Sequence, residues 1–540
     1  MLYAIPDWYN DIRELKEDSL KNLIDLFVME KRSVQLLILN FNPSLRYILH
    51  VNSLTSVNYW SIWDHILGIK RKEGIPLAPE ELDLPAGTEL LYSINKITAY
   101  VGDDFYAEIL VNNEGYVNEV EVPNEHGIRI DVYDDRGFKA QSKYYVNKSI
   151  EKIEWFNEYG EVVVQSGAGT SKVKVLSEQD RFSKIEYESM NELLLEFIEK
   201  MIKQKLNVKQ DVIVTDSENS FAPLIQRVEE HMPINYILKS GNRLDEKVID
   251  NAVQHVANGN QIFVDNQYIY DQLASESIDL KYLHIGYPYG TDMRLGNSNE
   301  EKILNIYWEL RTQNDTEKIK RTMVELTNYV VNREDAAILI ESDSYRSSEL
   351  VQNIFFDQLV KRYKFIEEKD RATVTQIISN QDKQNLIQNF IWRLQKKVDE
   401  MVKNNNELLN AKLEIPNFSG IVRLLGAVQV NTKSKNYQIL SVLDIVRIII
   451  DIGEPYDTLT QFNGISAGIP QINMIGSPLV IDKWNGWIVN GGRTITDGLN
   501  YFLNDLRHWN QSLVGSVQLM EQYSVERQVD WWEEKLYGKN

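Results

Sequence analysis

A chain of 540 residues, 43% apolar and 25% charged, can bury cores for two to four domains. Its 58 Lys and Arg against 79 Asp and Glu leave a formal charge of −21. That balance argues against general nucleic-acid binding, because neutralising phosphates takes clustered cations. The lack of cysteine removes disulfides, thiolate metal sites and a Cys nucleophile together, and it suits a bacterial cytoplasm. The opening MLYAIPDWYNDIREL has no basic segment followed by an apolar run, so no secretory signal is expected. No stretch of about 20 apolar residues is there to span a bilayer, so any membrane contact would be peripheral.

The first 70 residues read as α/β. The recurrence of Ile12, Leu15, Leu20, Leu23, Ile24 and Phe27 predicts a helix from Asp11 to Met29. The run from Ser33 to Leu39 predicts a buried strand, Arg46 to Val51 a further strand, and Asn58 to Gly68 a helix. Pro76, Pro79, Pro85 and Gly87 punctuate a linker. From Glu89 to about Ser177 the pattern alternates, with a weak repeat: ILVNNEGYVNEV, DVYDDRGFKAQS and EWFNEYGEVVVQ. Each is a strand, a polar turn ending in Gly115, Gly137 or Gly160, and a returning strand, so an extended antiparallel sheet is expected. Such a sheet normally works by being covered, and we read it as a docking surface.

Helix-strand alternation resumes at Met190. Strands are expected at Asp211 to Asp216, Ile234 to Leu238, Gln261 to Asp265 and Lys281 to Pro288, with helices between. After a linker near Gly296 to Asn299, a second α/β unit is expected. Its strands would be Lys302 to Tyr307, Ala336 to Ile340, Tyr363 to Glu367, Ile421 to Leu425, Leu443 to Asp451 and Pro470 to Ile475. A long helix, about Asp382 to Leu409, precedes the later strands, and aromatic-rich helices close the chain.

The stretch Asp451 to Asn473, DIGEPYDTLTQFNGISAGIPQIN, is the most specific. A β-branched run leads through Glu454-Pro455 into a short helix that stops at Gly468-Ile469-Pro470. It resembles the donor-site segment of retaining GT-B glycosyltransferases. That resemblance implies two glutamates about two helical turns apart. Glu454 stands for the first, while the second falls at about Phe462 or Asn463. Asn305 to Leu310 resembles the strand that opens the second GT-B domain, where an Arg and then a Lys are expected. Glu309 stands at the Arg and Asn314 at about the Lys; Lys318 or Lys320 would compensate after a shift of register. Trp484 to Val489 resembles the later "NG-x-hydrophobic" strand. The inserted β domain resembles that of the glycosyltransferases that modify serine-rich-repeat adhesins.

Among those relatives, Ile5 to Tyr9 (IPDWY) and the altered donor site look most like the accessory secretory protein ("Asp") family of the accessory Sec system, its first member above all. The fold expected from the resemblance is α/β, GT-B-like, with tandem Rossmann units and an inserted antiparallel β domain. Residues 1–70 plus 186–295 would form the first Rossmann-like domain, 71–185 the inserted sheet, 296–515 the second Rossmann-like domain, and 516–540 a C-terminal helical segment. The resemblance implies a cytoplasmic, non-catalytic scaffold that supports export of a glycosylated serine-rich-repeat adhesin. Its implied partners are the second and third accessory secretory proteins, the system's motor ATPase and the adhesin, with peripheral membrane contact left open.

The physical case for lost catalysis rests on the departing nucleotide diphosphate. An Arg and a Lys would supply charge-assisted hydrogen bonds to it. An acid in their place repels it, by up to several kcal/mol at low dielectric. Losing one favourable donor already costs about 3–4 kcal/mol in comparable sites. Glu309, Asn314, Glu454 and Asn463 are therefore vestigial donor-site positions, with no catalytic residue, cofactor or metal expected. The alternative is an active GT-B glycosyltransferase using a nucleotide sugar on a serine-rich adhesin.

Other signals are weaker. Gly464 to Gly468 matches a hydrolase nucleophile elbow, with Ser466, then Asp482, Asp497 or Asp505, then His508 as the set, but the elbow needs a strand directly before it and a helix after. No two of the seven histidines have i, i+4 ligand spacing. Gly167 to Thr170 reads as a turn, not a phosphate loop. Lys31-Arg32 and Lys70-Arg71-Lys72 are the only basic groups placed to touch an acidic membrane surface.

Overall fold

The computed structural model describes every residue except 9–14, 16–17, 94–95, 126, 168–170, 239–243, 297, 299, 311–314, 405–417, 433–435 and 539–540, and the side chains of 401–404 and 436–438. Three sheets organise the described residues.

The first sheet is parallel throughout. Its strands lie in the order Leu283–Ile285, Gln261–Val264, Ile234–Ile237, Val212–Asp216, Leu2–Ile5, Val34–Ile38 and Asn58–Ser61. Successive residues of a strand face opposite ways. Tyr3, Ile5 and Leu37 therefore enter one core, and Leu2, Ala4, Leu36 and Ile38 the other. With both faces covered by helices, these strands read as near-continuous apolar runs.

The second sheet is an antiparallel meander of ten strands, from Thr88–Tyr92 to Glu186–Tyr187, each paired with its neighbours in sequence. The three repeat glycines sit in its hairpin turns at φ +86°, +88° and +83°, a conformation that penalises a Cβ. The chain enters this sheet after helix Ile62–Leu67 and leaves it before helix Met190–Lys205. Trp63 stacks on Trp155 at 5.3 Å, and Val163, Val164, Val173 and Val175 join the first sheet's core. The insertion is thus rooted in the domain that carries it.

The third sheet is parallel, in the order Val428–Thr432, Ala336–Ser342, Leu304–Leu310, Val446–Asp451, Gln471–Asn473 and Gly486–Ile488. After helix Leu506–Gln522, the final helix Val525–Tyr537 returns to the first domain. Its Trp532 is fully buried against Phe263, and the indole N–H donates to the Tyr287 carbonyl at 2.9 Å.

The helix expected from Asp11 starts at Ser19, capped by Asp18, with residues 11–14 and 16–17 outside the described residues, and four further local expectations fail. Arg46 to Val51 lies in helix Leu45–Val51. Asn58 to Gly68 divides at Ser61, whose Oγ accepts the Asp64 N–H at 3.2 Å and starts helix Ile62–Leu67 after a strand. Tyr363 to Glu367 is a turn following helix Tyr345–Arg362. Ile421 to Leu425 lies inside helix Phe418–Ala427, where Ile421, Leu424 and Leu425 form a buried stripe, and the strand is Val428–Thr432. Where the outcome is a helix for a strand or the reverse, a short apolar run fitted both periods.

Candidate functional site

The loop after Val446–Asp451 lies where the two parallel sheets face each other, and its shape comes from Asp451. That side chain, 1% exposed, accepts the N–H groups of Gly453 and Asp457, each at 2.7 Å. Asp457 then caps helix Thr458–Ala467 by accepting the Thr460 N–H at 2.7 Å. Gly468, at φ +71°, ends the helix, and Gln471–Asn473 follows. The strand-loop-helix-strand step read from the sequence is therefore present.

Across the cleft, residues following Gln261–Val264 hold this loop. Asn266 donates through Nδ2 to the Tyr456 carbonyl at 2.9 Å, and Gln267 N–H donates to the Tyr456 hydroxyl at 3.1 Å. Thr458 donates through Oγ1 to the Asp265 carbonyl at 2.9 Å. Asn266 also caps helix Gln267–Ala274 by accepting the Tyr268 N–H at 2.9 Å. Tyr456 is 2% exposed, and burial pushes its phenol well above the usual range. Behind it Phe462 packs among Tyr287, Tyr289 and Tyr523, with ring centroids 5.4–5.9 Å apart.

The sequence-predicted positions are brought together only in part. Glu309 is buried near the end of Leu304–Leu310, in register with Asp451 on one side and Glu341 on the other. It accepts the Tyr307 hydroxyl at 2.6 Å, so its carboxylate lies along the sheet face. Asn314 lies outside the described residues. Lys318, in the first turn of helix Thr316–Asn332, reaches Glu454 at 2.5 Å, whereas Lys320 is exposed on the same helix. Asn463 faces the linker instead and accepts from Arg294 Nη2 at 3.1 Å. The structure thus joins Lys318 to Glu454 and keeps Asn463 apart. The contacts of Tyr456 with Asn266 and Gln267 join residues 190 and 189 apart, and no local pattern signals them.

The hydrolase set does not assemble. Ser466 is buried within its helix, where its Oγ accepts the Asp292 N–H at 3.3 Å. His508 stacks on Tyr501 at 3.8 Å. Asp482 pairs with Arg493 through two bonds of 2.9 Å, and Asp497 and Asp505 cap helices. Among the described residues, no cluster of His, Asp or Glu is placed to hold a metal ion. None of their helices is long and apolar enough to cross a membrane.

Tandem parallel sheets, a meander inserted in the first, and a last helix returning to the first domain together carry the likeness to known proteins. The family model of the accessory Sec system protein Asp, the first of that series, matches residues 3–539. The chain belongs to that family. It is similar to the family's member from Streptococcus gordonii, 22% identical over 536 residues, covering 98% of this chain and 94% of the relative. Its fold is similar to a chain in the crystal structure of accessory secretory proteins 1, 2 and 3 in Streptococcus pneumoniae, with TM-score 0.69, 19% identity, and 100% and 99% of the two chains covered. The pneumococcal O-GlcNAc transferase GtfA, solved in complex with UDP and GlcNAc, superposes with TM-score 0.65 at 11% identity, again covering 100% and 99%. This member of the first accessory secretory protein family therefore has the GT-B fold expected from its sequence.

Proposed function

We propose that this chain is a non-catalytic scaffold of the accessory Sec system. In this reading it works in the cytoplasm, binds the second and third accessory secretory proteins, and supports export of a glycosylated serine-rich-repeat adhesin, with the system's motor ATPase and the adhesin as further partners. The observation that carries the loss of transfer is the seam at Tyr456. The resemblance to a donor-site segment would put a nucleotide beside this loop, and here the loop is hydrogen-bonded to the facing domain with the Tyr456 phenol buried. Buried polar contacts of this kind are costly to break without replacement. Lys318, the cation nearest the loop among the candidates, is engaged with Glu454. Family membership supports a place in the accessory Sec system, and the pneumococcal complex of accessory secretory proteins 1, 2 and 3 supports the choice of partners.

The test has two parts. Thermal shift and released-nucleotide assays over UDP and GDP sugars should show neither binding nor turnover at millimolar donor. Tight binding with turnover would replace the scaffold reading with that of an active glycosyltransferase. Co-expression with the second and third accessory secretory proteins should yield a stable complex, and failure to co-purify would remove the proposed partners.

A further inference from the structure

The basic run Lys70-Arg71-Lys72 has no role in the donor seam, and the fold gives it a concave setting. A cavity of about 1010 Å³ opens between the first domain and the inserted sheet. All four residues of strand Asn58–Ser61 line it, Asn58 and Tyr59 with surface exposed and Trp60 and Ser61 buried. Among the described residues this strand terminates the seven-stranded sheet and pairs on one side only, with Val34–Ile38. An unpaired strand edge is a template for another extended chain. Tyr47, from helix Leu45–Val51, and Tyr116, from the turn between strands Asp104–Val111 and Val117–Asn124, also line it.

The walls are fixed relative to each other. Arg136 of the insertion pairs with Asp64 of the first domain at 2.9 and 3.0 Å, and with its neighbour Asp134 at 2.7 and 2.8 Å. The cavity is therefore built before any ligand arrives. Its cations are Arg46, Arg71, Lys70, Lys72 and Lys205. Arg46 is spent on the Gly74 carbonyl and Arg71 on Glu158. Lys70, Lys72 and Lys205 form no ion pair among the described residues and are exposed. Of the acids that line it, Asp64 is neutralised by Arg136, and burial beside Asp134 raises Asp135 to about 7. Glu73 and Glu114, the latter accepting a hydrogen bond from the Tyr47 hydroxyl, remain against three free lysines.

We propose that this cavity binds an extended acidic segment of a partner polypeptide, paired at the open Asn58–Tyr59 end of the edge strand and neutralised by Lys70, Lys72 and Lys205. A bilayer surface cannot follow a recess between two domains, and a single phosphate would leave most of the volume empty. A protein of net charge −21 has few surfaces that welcome an acidic chain, which makes the local reversal selective. This inference does not depend on whether the donor seam has lost its chemistry.

The experiment uses the full chain and fluorescence polarisation with an eight-residue peptide alternating Glu and Val. The comparison probes are its Gln counterpart and a version N-methylated at alternate amides. The Glu peptide should saturate, and both comparison peptides should bind about tenfold more weakly or less. The variant K70E/K72E/K205E should lose about tenfold in affinity at an unchanged melting temperature, because all three side chains are exposed. Three results would overturn the proposal: no saturation by the Glu peptide, equal binding of the N-methylated peptide, or full affinity in the triple variant. Anionic phosphatidylglycerol vesicles that bind the full chain and displace the peptide, with both lost in the triple variant, would instead assign the cavity to lipid headgroups and also overturn it.

Discussion

Lys318 and Glu454 form an ion pair of 2.5 Å across the second domain, from the first turn of one helix to the loop that follows Asp451. Glu454 is the residue that resembles a donor-site glutamate, and its charge is engaged by this chain's own lysine. Both side chains are about a third exposed, at 29% and 39%, so the pair adds at most about 1 kcal/mol. Lys318→Ala should therefore leave the melting temperature within a few degrees of the parent. It should also leave nucleotide-sugar turnover at zero, read as released UDP. Appearance of turnover in this variant would show that the pair was the block.

Restoring the missing acid should fail as well. Asn463→Glu puts a carboxylate beside Arg294, whose guanidinium already lies 3.1 Å from the Asn463 oxygen. The new side chain gains an ion pair there and stays turned to the linker. We expect an unchanged or slightly higher denaturation midpoint and no donor binding by calorimetry. Donor binding in this variant would mean that the seam at Tyr456 opens readily.

The seam itself rests on Asn266. Its side chain serves two domains, capping helix Gln267–Ala274 and donating to the Tyr456 carbonyl. Asn266→Ala removes a cap, worth about 1 kcal/mol, and strips a buried carbonyl of its partner, at about 1–3 kcal/mol more. The expected loss is about 2–4 kcal/mol in urea unfolding. Hydrogen exchange should rise on both sides of the cleft, in residues 265–270 and 453–460. A rise confined to the first domain would show that the loop is held without Asn266.

The three hairpin glycines separate two costs. Gly115 and Gly160 meet nothing where a Cβ would be built, whereas a Cβ on Gly137 would run into the Ile75 carbonyl oxygen. All three have positive φ, so alanine costs about 1–2 kcal/mol anywhere in the set. Gly137→Ala should cost clearly more than Gly160→Ala by chemical denaturation, because backbone in the linker must also shift. Equal losses would show that the linker moves freely.

These glycines also show why the insertion was legible. Each turn requires a residue tolerant of positive φ, flanked by alternating strands, and that pattern is local. The step from Val446 to Asn473 was legible for the same reason, since Asp457 and Gly468 punctuate one helix between two β-branched runs. Short apolar runs were not: Ile421 to Leu425 fits a strand in isolation and is helical because its stripe packs on the third sheet. The chemistry of the seam was least visible. Glu309 and Asn463 could be flagged as departures from a donor site, but the bond from Asn266 to Tyr456 exists only once two domains face each other.

A pH dependence follows from the junction between the first domain and the insertion. Asp135 accepts the Tyr47 N–H at 2.9 Å and faces Asp134, Arg46 and Arg136. Burial, then the Asp134 charge, raise its carboxyl to about 7. The unfolded chain titrates it near about 3.9. Between those values the folded state holds a proton that the unfolded state has released. Its contribution is therefore full below about pH 4 and is lost as pH rises to about 7. Asp135→Asn keeps an oxygen to accept the Tyr47 N–H and removes the titration. Relative to the parent, the variant should gain about 2 kcal/mol between pH 5 and pH 8, after discounting for partial exposure to solvent. Urea unfolding of both proteins at the two pH values reads this directly. A difference that stays constant across the range would mean that Asp135 is ionised throughout, with Arg46 and Arg136 outweighing its burial.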